Sequence, residues 1–320
     1  MSQTTESFLI GLIGDGVMPS LTPPMHEREG AAHGLLYLYR PIDIAVLGLA
    51  PESVGDLVRA ARHLGYNGLN ITHPCKQLVI EHLDEVDDDA ARLGAVNTVV
   101  IRPDGRTVGH NTDWSGFLSA FRSGLPDAAL GRVVQLGAGG AGSAVAYALL
   151  TAGVQHLVIV DVDRSRAEAR VAELAGLFPE ASVEAGTTAE LASLLPAADG
   201  VVHCTPVGMA AHPGTPFDTS LLEPRHWVAD IVYRPIETQL VRDARAAGCR
   251  VLDGGRMAVG QAVDAFRIFT GLEPDAERMR AHFLGLVEAE DEAESEAKNE
   301  AVREAKNEAA RESVRVAGAA

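Results

Sequence analysis

"VVQLGAGGAGSAVAYALL" (residues 133–150) reads as an apolar strand, a glycine turn and an amphipathic helix in immediate succession. Gly137, Gly139 and Gly142 fit the pattern G-x-G-x-x-G. In such a unit the first glycine permits a tight turn, the second lets the backbone approach a pyrophosphate, and the third lets the helix lie close on the strand. The helix start offers free N–H groups to phosphate. A glycine pattern alone is weak, but here the flanks are right. A second apolar run, "HLVIVD", follows and ends in Asp161, 19 residues beyond Gly142, where a ribose-binding acid belongs. The competing reading is a βαβ unit without a ligand, its aspartate merely capping the next helix. A carboxylate at 161 would accept from both ribose hydroxyls and repel a 2′-phosphate, so NAD is favoured over NADP. Arg164 and Arg166 follow it. They suit a phosphate cradle, a stack on adenine, or simply the solvated first turn of a helix.

Outward from this unit, apolar runs alternate with helical stretches. Strands are expected over 8–13, 37–44, 68–72, 95–101, 132–136, 156–161, 200–204, 227–232 and 250–252, and helices over 52–64, 140–152, 164–177 and 237–247. That alternation predicts an α/β fold with mainly parallel sheets. "SGLPDAALG" (123–131) is a polar Gly/Pro break just before a fresh strand. Two domains are therefore expected: an N-terminal α/β domain over 1–122, completed by helices within 256–287, and a Rossmann-type doubly wound nucleotide domain over 123–255. Residues 288–320, with "EAKNEA" at 296–301 and 304–309, form a charged Ala/Glu-rich tail, either a helical extension or disordered.

The 320 residues carry a formal net charge of −17 and are 47% hydrophobic. That balance argues against a nucleic-acid partner, which wants a basic face. Anionic ligands must be held by local devices. Cys75, Cys204 and Cys249 are scattered, without a metal or disulfide spacing. No signal-peptide pattern and no membrane-length apolar run is visible, so a cytoplasmic protein is expected.

Cationic charge is written almost entirely as arginine: 24 Arg against 3 Lys. Lys76, in "LNITHPCKQ" (69–77), is the only lysine before residue 298. Arginine cannot be deprotonated in a protein, whereas a lysine's proton affinity responds to its surroundings. Lys76 opens a helix-like stretch after a strand, and Asp113 in "GHNTDWSGF" (109–117) opens another. Both fall at strand ends, where open α/β sheets bind ligands. They are candidates for a proton-exchanging pair, or else a surface lysine and an N-capping aspartate. Ser20 and Thr22, in a Pro-rich loop, present side-by-side hydroxyls that suit a carboxylate but are equally ordinary turn residues. Asn97 is a polar residue in an apolar run, either a core amide or a ligand. His26, His73, His110 and His203 show no metal-ligand spacing and read as structural or peripheral. No metal site is expected.

Together these stretches resemble the shikimate dehydrogenase family over roughly residues 8–287. The likeness is carried by Ser20-Leu21-Thr22-Pro23, Asn70-Ile71-Thr72-His73-Pro74-Cys75-Lys76, "GAVNT" at 94–98, "NTDWSG" at 111–116, the glycine loop, "CTPVGM" at 204–209, "DIVYRPIETQL" at 230–240 and "GGRMAVGQAVDAF" at 254–266. The resemblance implies substrate bound in a cleft between two domains, with Lys76 and Asp113 as the catalytic pair. It implies Ser20, Thr22, Thr72, Asn97 and Gln261 as substrate ligands. Cofactor contacts implied are Gly137, Ala138, Gly139, Gly140, Ala141, Asp161, Arg166, Thr205, Val232 and Gly254, with the nicotinamide near Met257. Many biosynthetic members carry Asn-Arg-Thr where this chain has Asp161-Val162-Asp163, and Ser-x-Ser where it has Ser20-x-Thr22. These departures resemble the NAD-dependent quinate/shikimate dehydrogenase branch, which oxidises quinate to 3-dehydroquinate and shikimate to 3-dehydroshikimate. The alternatives are an NADP-dependent biosynthetic enzyme and a non-catalytic sensor on the same fold. The expected partners are small molecules, with neither nucleic acid nor membrane, and the chain a monomer or homodimer.

Overall fold

The glycine-rich unit is the middle of a doubly wound sheet. In the computed structural model, which describes residues 7–293, six strands follow one another in this half: β7 (Arg132–Leu136), β8 (His156–Val160), β9 (Ser182–Gly186), β10 (Gly200–His203), β11 (Trp227–Asp230) and β12 (Arg250–Leu252). For numbering, β1 to β6 and α1 to α4 precede them and are given below. The order is β12-β11-β10-β7-β8-β9, and every pair is parallel. The order reverses between β7 and β10, the switch point at which such sheets open a crevice. Helices α5 (Gly140–Ala152), α6 (Arg164–Leu177), the short α7 (Leu191–Leu194) and α8 (Gln239–Ala246) connect them. Chain punctuation sets their ends. Asp163 caps α6 by accepting from Ser165 N–H, and Gly153 ends α5 in the left-handed region.

The first half is built on β1 (Ser7–Gly14), β2 (Leu36–Asp43), β3 (Gly68–Ile71), β4 (Glu85–Val86), β5 (Thr98–Ile101) and β6 (Thr107–His110), in the order β2-β1-β3-β5-β6-β4. Its helices are α1 (Thr22–Ala32), α2 (Val54–His63), α3 (Asp88–Leu93) and α4 (Thr112–Gly124). The sheet is less parallel than expected, because β5 runs antiparallel to both β3 and β6. The cause is a tight return at 102–106, closed by Arg102 N–H on Arg106 C=O, which joins β5 to β6 as a hairpin. Two further expectations are corrected here. The Pro-rich segment is not all loop: Thr22 begins α1, with prolines in a first turn that needs no N–H partner. Lys76 lies in a turn that leads into a 3₁₀ helix (Leu78–His82), not in an α-helix.

After β12 the chain enters α9 (Gly254–Thr270), which returns to the first half. Phe266 stacks on Tyr37 at 5.4 Å, and Phe269 shares their cluster with Ile10, Leu12 and Tyr39. Along its length α9 lies against α4. A Cβ at Gly116 would stand 2.3 Å from Gln261 N, and one at Gly260 would stand 2.5 Å from Gly116 C=O, so the two backbones touch. This contact ties the helix whose first turn holds Asp113 to the helix that carries Gln261. Of the described residues, those up to Arg280 make one compact unit, and 281–293, which are helical, belong to a second. The remaining tail, 294–320, lies outside the described residues, and so does the expectation made for it.

One core residue gives the fold a pH dependence. His26 is fully buried between Tyr37 and Tyr39, and burial lowers its pKa from 6.5 to about 3. The unfolded chain therefore takes up this proton first, and stability present above pH 6.5 is lost as pH falls toward 3. Between pH 7 and pH 5 the loss is expected to be roughly 2 kcal/mol. Denaturant unfolding at both pH values should show it in the wild type and not in His26→Gln. An equal fall in both proteins would exclude His26 as the source.

Candidate functional site

At the C-terminal edge of β1 and β3 the polar residues of the first half converge on a cavity of about 240 Å³. Ser20, Thr22, Thr72, Lys76, Asn97 and Gln261 all line it. They arrive by five routes: Ser20 from the loop after β1, Thr22 from the first turn of α1, Thr72 and Lys76 from the segment after β3, Asn97 from just before β5, and Gln261 from the middle of α9. Lys76 Nζ donates to Asp113 Oδ2 at 2.6 Å, with the lysine side chain 26% exposed and the aspartate 7%. Asp113 sits in the first turn of α4, where the helix dipole favours a carboxylate, and Asn111 caps that turn by accepting from Asp113 N–H at 3.0 Å.

Asn97 behaves as a brace. Its Nδ2 donates to Asp113 Oδ1 and to Thr112 Oγ1, both at 3.0 Å, and its Oδ1 accepts from Thr112 N–H at 2.7 Å. Both amide hydrogens are thus directed at protein acceptors, and the two carboxylate oxygens of Asp113 are held from different sides. Behind it, Asn70 donates to Asn97 C=O and accepts from Tyr39 O–H at 2.6 Å. Ser20 Oγ accepts from Thr22 N–H at 3.3 Å, which leaves its own hydrogen to donate into the cavity.

The second group of residues gathers at the C-terminal edge of the parallel sheet. Gly137 has φ +103° and donates its N–H to Val160 C=O; a Cβ there would stand 2.5 Å from Cys204 C=O. A Cβ at Gly142 would stand 2.2 Å from Gly137 C=O, so strand and helix are in contact. At Gly139 and Gly140 a Cβ would meet open space, and no side chain caps α5. Gly137 and Ala138 spend their N–H groups inside the protein, so the N–H groups this uncluttered turn leaves for a pyrophosphate are those at the start of α5. Asp161 follows β8 and is 8% exposed. Its carboxylate accepts from Ala138 N–H at 2.8 Å and from Asp163 N–H at 2.9 Å, so it is fixed beside the glycine turn. Arg166 Nη2 lies 3.9 Å from it. Thr205, Val232 and Gly254 each stand two residues beyond a strand end. Met257 is buried in the first turns of α9.

Sequence reasoning missed several groups. Gln135, buried in β7, donates through Nε2 to both Gly137 C=O and Gly142 C=O and so clamps the two ends of the glycine turn. A lone amide in the apolar run before Gly137 was the available signal. Tyr233 and Arg234 line the cavity from the other half of the molecule, and Arg234 Nη2 donates to Pro19 C=O at 2.8 Å. Nothing local in the sequence announces that contact, since 215 residues separate the pair.

A dinucleotide-type crevice and a polar cavity that meet at Val232–Arg234 are the plan of a two-domain oxidoreductase whose substrate sits on a separate α/β scaffold. Residues 12–99 match the family model described as the shikimate dehydrogenase substrate binding domain, and residues 255–282 that described as the shikimate 5'-dehydrogenase C-terminal domain. The chain belongs to the shikimate dehydrogenase family. It is 74% identical to a shikimate dehydrogenase (NADP(+)) of Arthrobacter sp. (strain FB24) over 91% of this chain and 99% of that one. It is 57% identical to a quinate/shikimate dehydrogenase (NAD(+)) of Corynebacterium efficiens over 88% and 99%. Among solved structures it resembles a quinate dehydrogenase from Corynebacterium glutamicum in complex with NAD, with a TM-score of 0.84 and 54% identity over 87% of this chain and 99% of that one.

Proposed function

We propose that the protein oxidises quinate to 3-dehydroquinate and shikimate to 3-dehydroshikimate, reversibly, with NAD. Residues 7–122, completed by the body of α9, bind the substrate, and residues 123–255 bind the cofactor, with Met257 beside the nicotinamide. The observation that carries this reading is the Lys76–Asp113 pair on the wall of a cavity lined by hydroxyls and amides. When bound, the nicotinamide supplies the hydride acceptor. The chain's own residues do the rest. Ser20, Thr22 and Thr72 hold the carboxylate and ring hydroxyls. Lys76 takes the proton of the C3 hydroxyl as the C3–H bond breaks, and Asp113 holds Lys76 in place and shares the proton's charge. Asn97 keeps the Asp113 carboxylate turned toward Lys76. The glycine turn over 137–141 holds the pyrophosphate, and Asp161 the adenosine ribose.

Asp161 supports NAD, because an anchored carboxylate repels a 2′-phosphate. A second reading, a shikimate dehydrogenase using NADP, is favoured by the name of the Arthrobacter relative. Initial rates with quinate and with shikimate, each with NAD and with NADP, decide between them. The reading requires quinate oxidation with NAD to be measurable and NADP to be the poorer cofactor. Turnover of shikimate and NADP alone would overturn it.

A further inference from the structure

β10 and β11 are apolar strands, Val201, Val202, Val228 and Ala229 being almost wholly buried, yet each ends in a buried ionisable residue. His203 and Asp230 are partners in the strand register, and both side chains are fully buried. His203 Nδ1 lies 2.9 Å from Asp230 Oδ1, and Nε2 lies 2.5 Å from Thr205 Oγ1. Asp230 Oδ1 also accepts from Val232 N–H at 3.0 Å, and Oδ2 accepts from Thr238 O–H at 2.7 Å. Burying a carboxylate and an imidazole together is costly, and an apolar pair of like volume would fill the same space. The hydride chemistry uses neither residue.

Their partners supply the reason. Thr205 lies in the loop after β10, which borders the switch point, and Val232 in the loop after its neighbour β11, both at the C-terminal edge of the sheet. With its hydroxyl committed to His203 and to Val207 N–H at 3.3 Å, Thr205 is turned so that its methyl carbon lies 3.1 Å from a Cβ built on Gly137. Val232, pinned through its N–H, presents a carbonyl that would stand 2.3 Å from a Cβ on Gly254. One buried pair thus sets the positions of Thr205 and Val232 together, and each of these leans on a glycine of the crevice wall.

We propose that His203 and Asp230 are positioning residues for the nicotinamide half of the bound dinucleotide. The inference rests on the dinucleotide reading given above. The glycine turn and Asp161, which hold the pyrophosphate and adenosine, touch the pair's partner Thr205 through its methyl at Gly137, but Gln135, Val160 and Ala138 give them hydrogen bonds of their own that remain when the pair is lost. Disturbing the pair therefore weakens one half of the ligand and spares the other.

The test measures NADH and AMP binding to the full chain by titration calorimetry, for the wild type, His203→Leu, Thr205→Val and the double variant. His203→Leu should raise the NADH Kd roughly 3–10-fold, the scale of one or two lost hydrogen bonds, while the AMP Kd stays within about twofold. Thr205→Val breaks the same link with little change of shape and should reproduce the effect. The double variant should bind NADH no more weakly than His203→Leu, because both substitutions remove one connection. NADH and AMP weakening in parallel would mean that the pair only holds the fold, and an unchanged NADH Kd in Thr205→Val would overturn the proposal even if His203→Leu does not fold. A wild type that binds neither ligand nor NADPH overturns the dinucleotide reading, and the inference with it.

Discussion

Replacing Lys76 by alanine is expected to lower kcat by about 10²–10⁴-fold, the usual contribution of a positioned proton acceptor, with a much smaller change in substrate affinity. Ser20, Thr22, Thr72 and Gln261 still line the cavity in that variant, so quinate should still bind. Lys76→Arg separates charge from proton exchange. A guanidinium restores a cation opposite Asp113 but cannot be deprotonated, so this variant should be as slow as Lys76→Ala. Near-wild-type turnover in either variant, measured at saturating quinate and NAD, would remove Lys76 from the chemistry.

Asp161→Asn should change cofactor choice more than any other single substitution. The amide keeps an acceptor for one of Ala138 N–H and Asp163 N–H and loses the other bond, while the charge that opposes a 2′-phosphate is gone. The ratio of kcat/KM with NAD to that with NADP is expected to fall roughly 10–100-fold, equivalent to about 1.4–2.8 kcal/mol of discrimination. An unchanged ratio would place the selectivity elsewhere, and Arg166, 3.9 Å from the Asp161 carboxylate, would be the next residue to replace.

Much of the nucleotide half was legible in the sequence. β7, β12, α5 and α6 occupy the expected ranges because strong local signals bound them: a continuous apolar run, a glycine turn, a capping aspartate, a C-terminal glycine. β9 was missed because it is a sheet-edge strand, "SVEAG", with little apolar content, and β4 because two residues carry no period. Overlooking β6 also hid the antiparallel hairpin, since "TVGH" is too short to announce a strand. Lys76 was legible through composition, because one lysine stands out where arginine is the rule. The brace at Asn97 and the His203–Asp230 pair were not. Their partners lie 16 and 27 residues away, and only strand register brings them together.

The path of α9 has a consequence for how the protein is made. Helix α1 covers Tyr37 and Tyr39 from one side through His26, but their cluster with Ile10 is complete only when Phe266 and Phe269 have left the ribosome. At about 5–20 residues per second, the chain between α4 and the end of α9 takes roughly 7–30 s to synthesise. Throughout that interval the nascent first half carries an open apolar face, while the parallel sheet behind it has all its own strands once β12 emerges. The half that comes off the ribosome first is therefore the one completed last, and chaperone capture in that window should fall on residues 7–124.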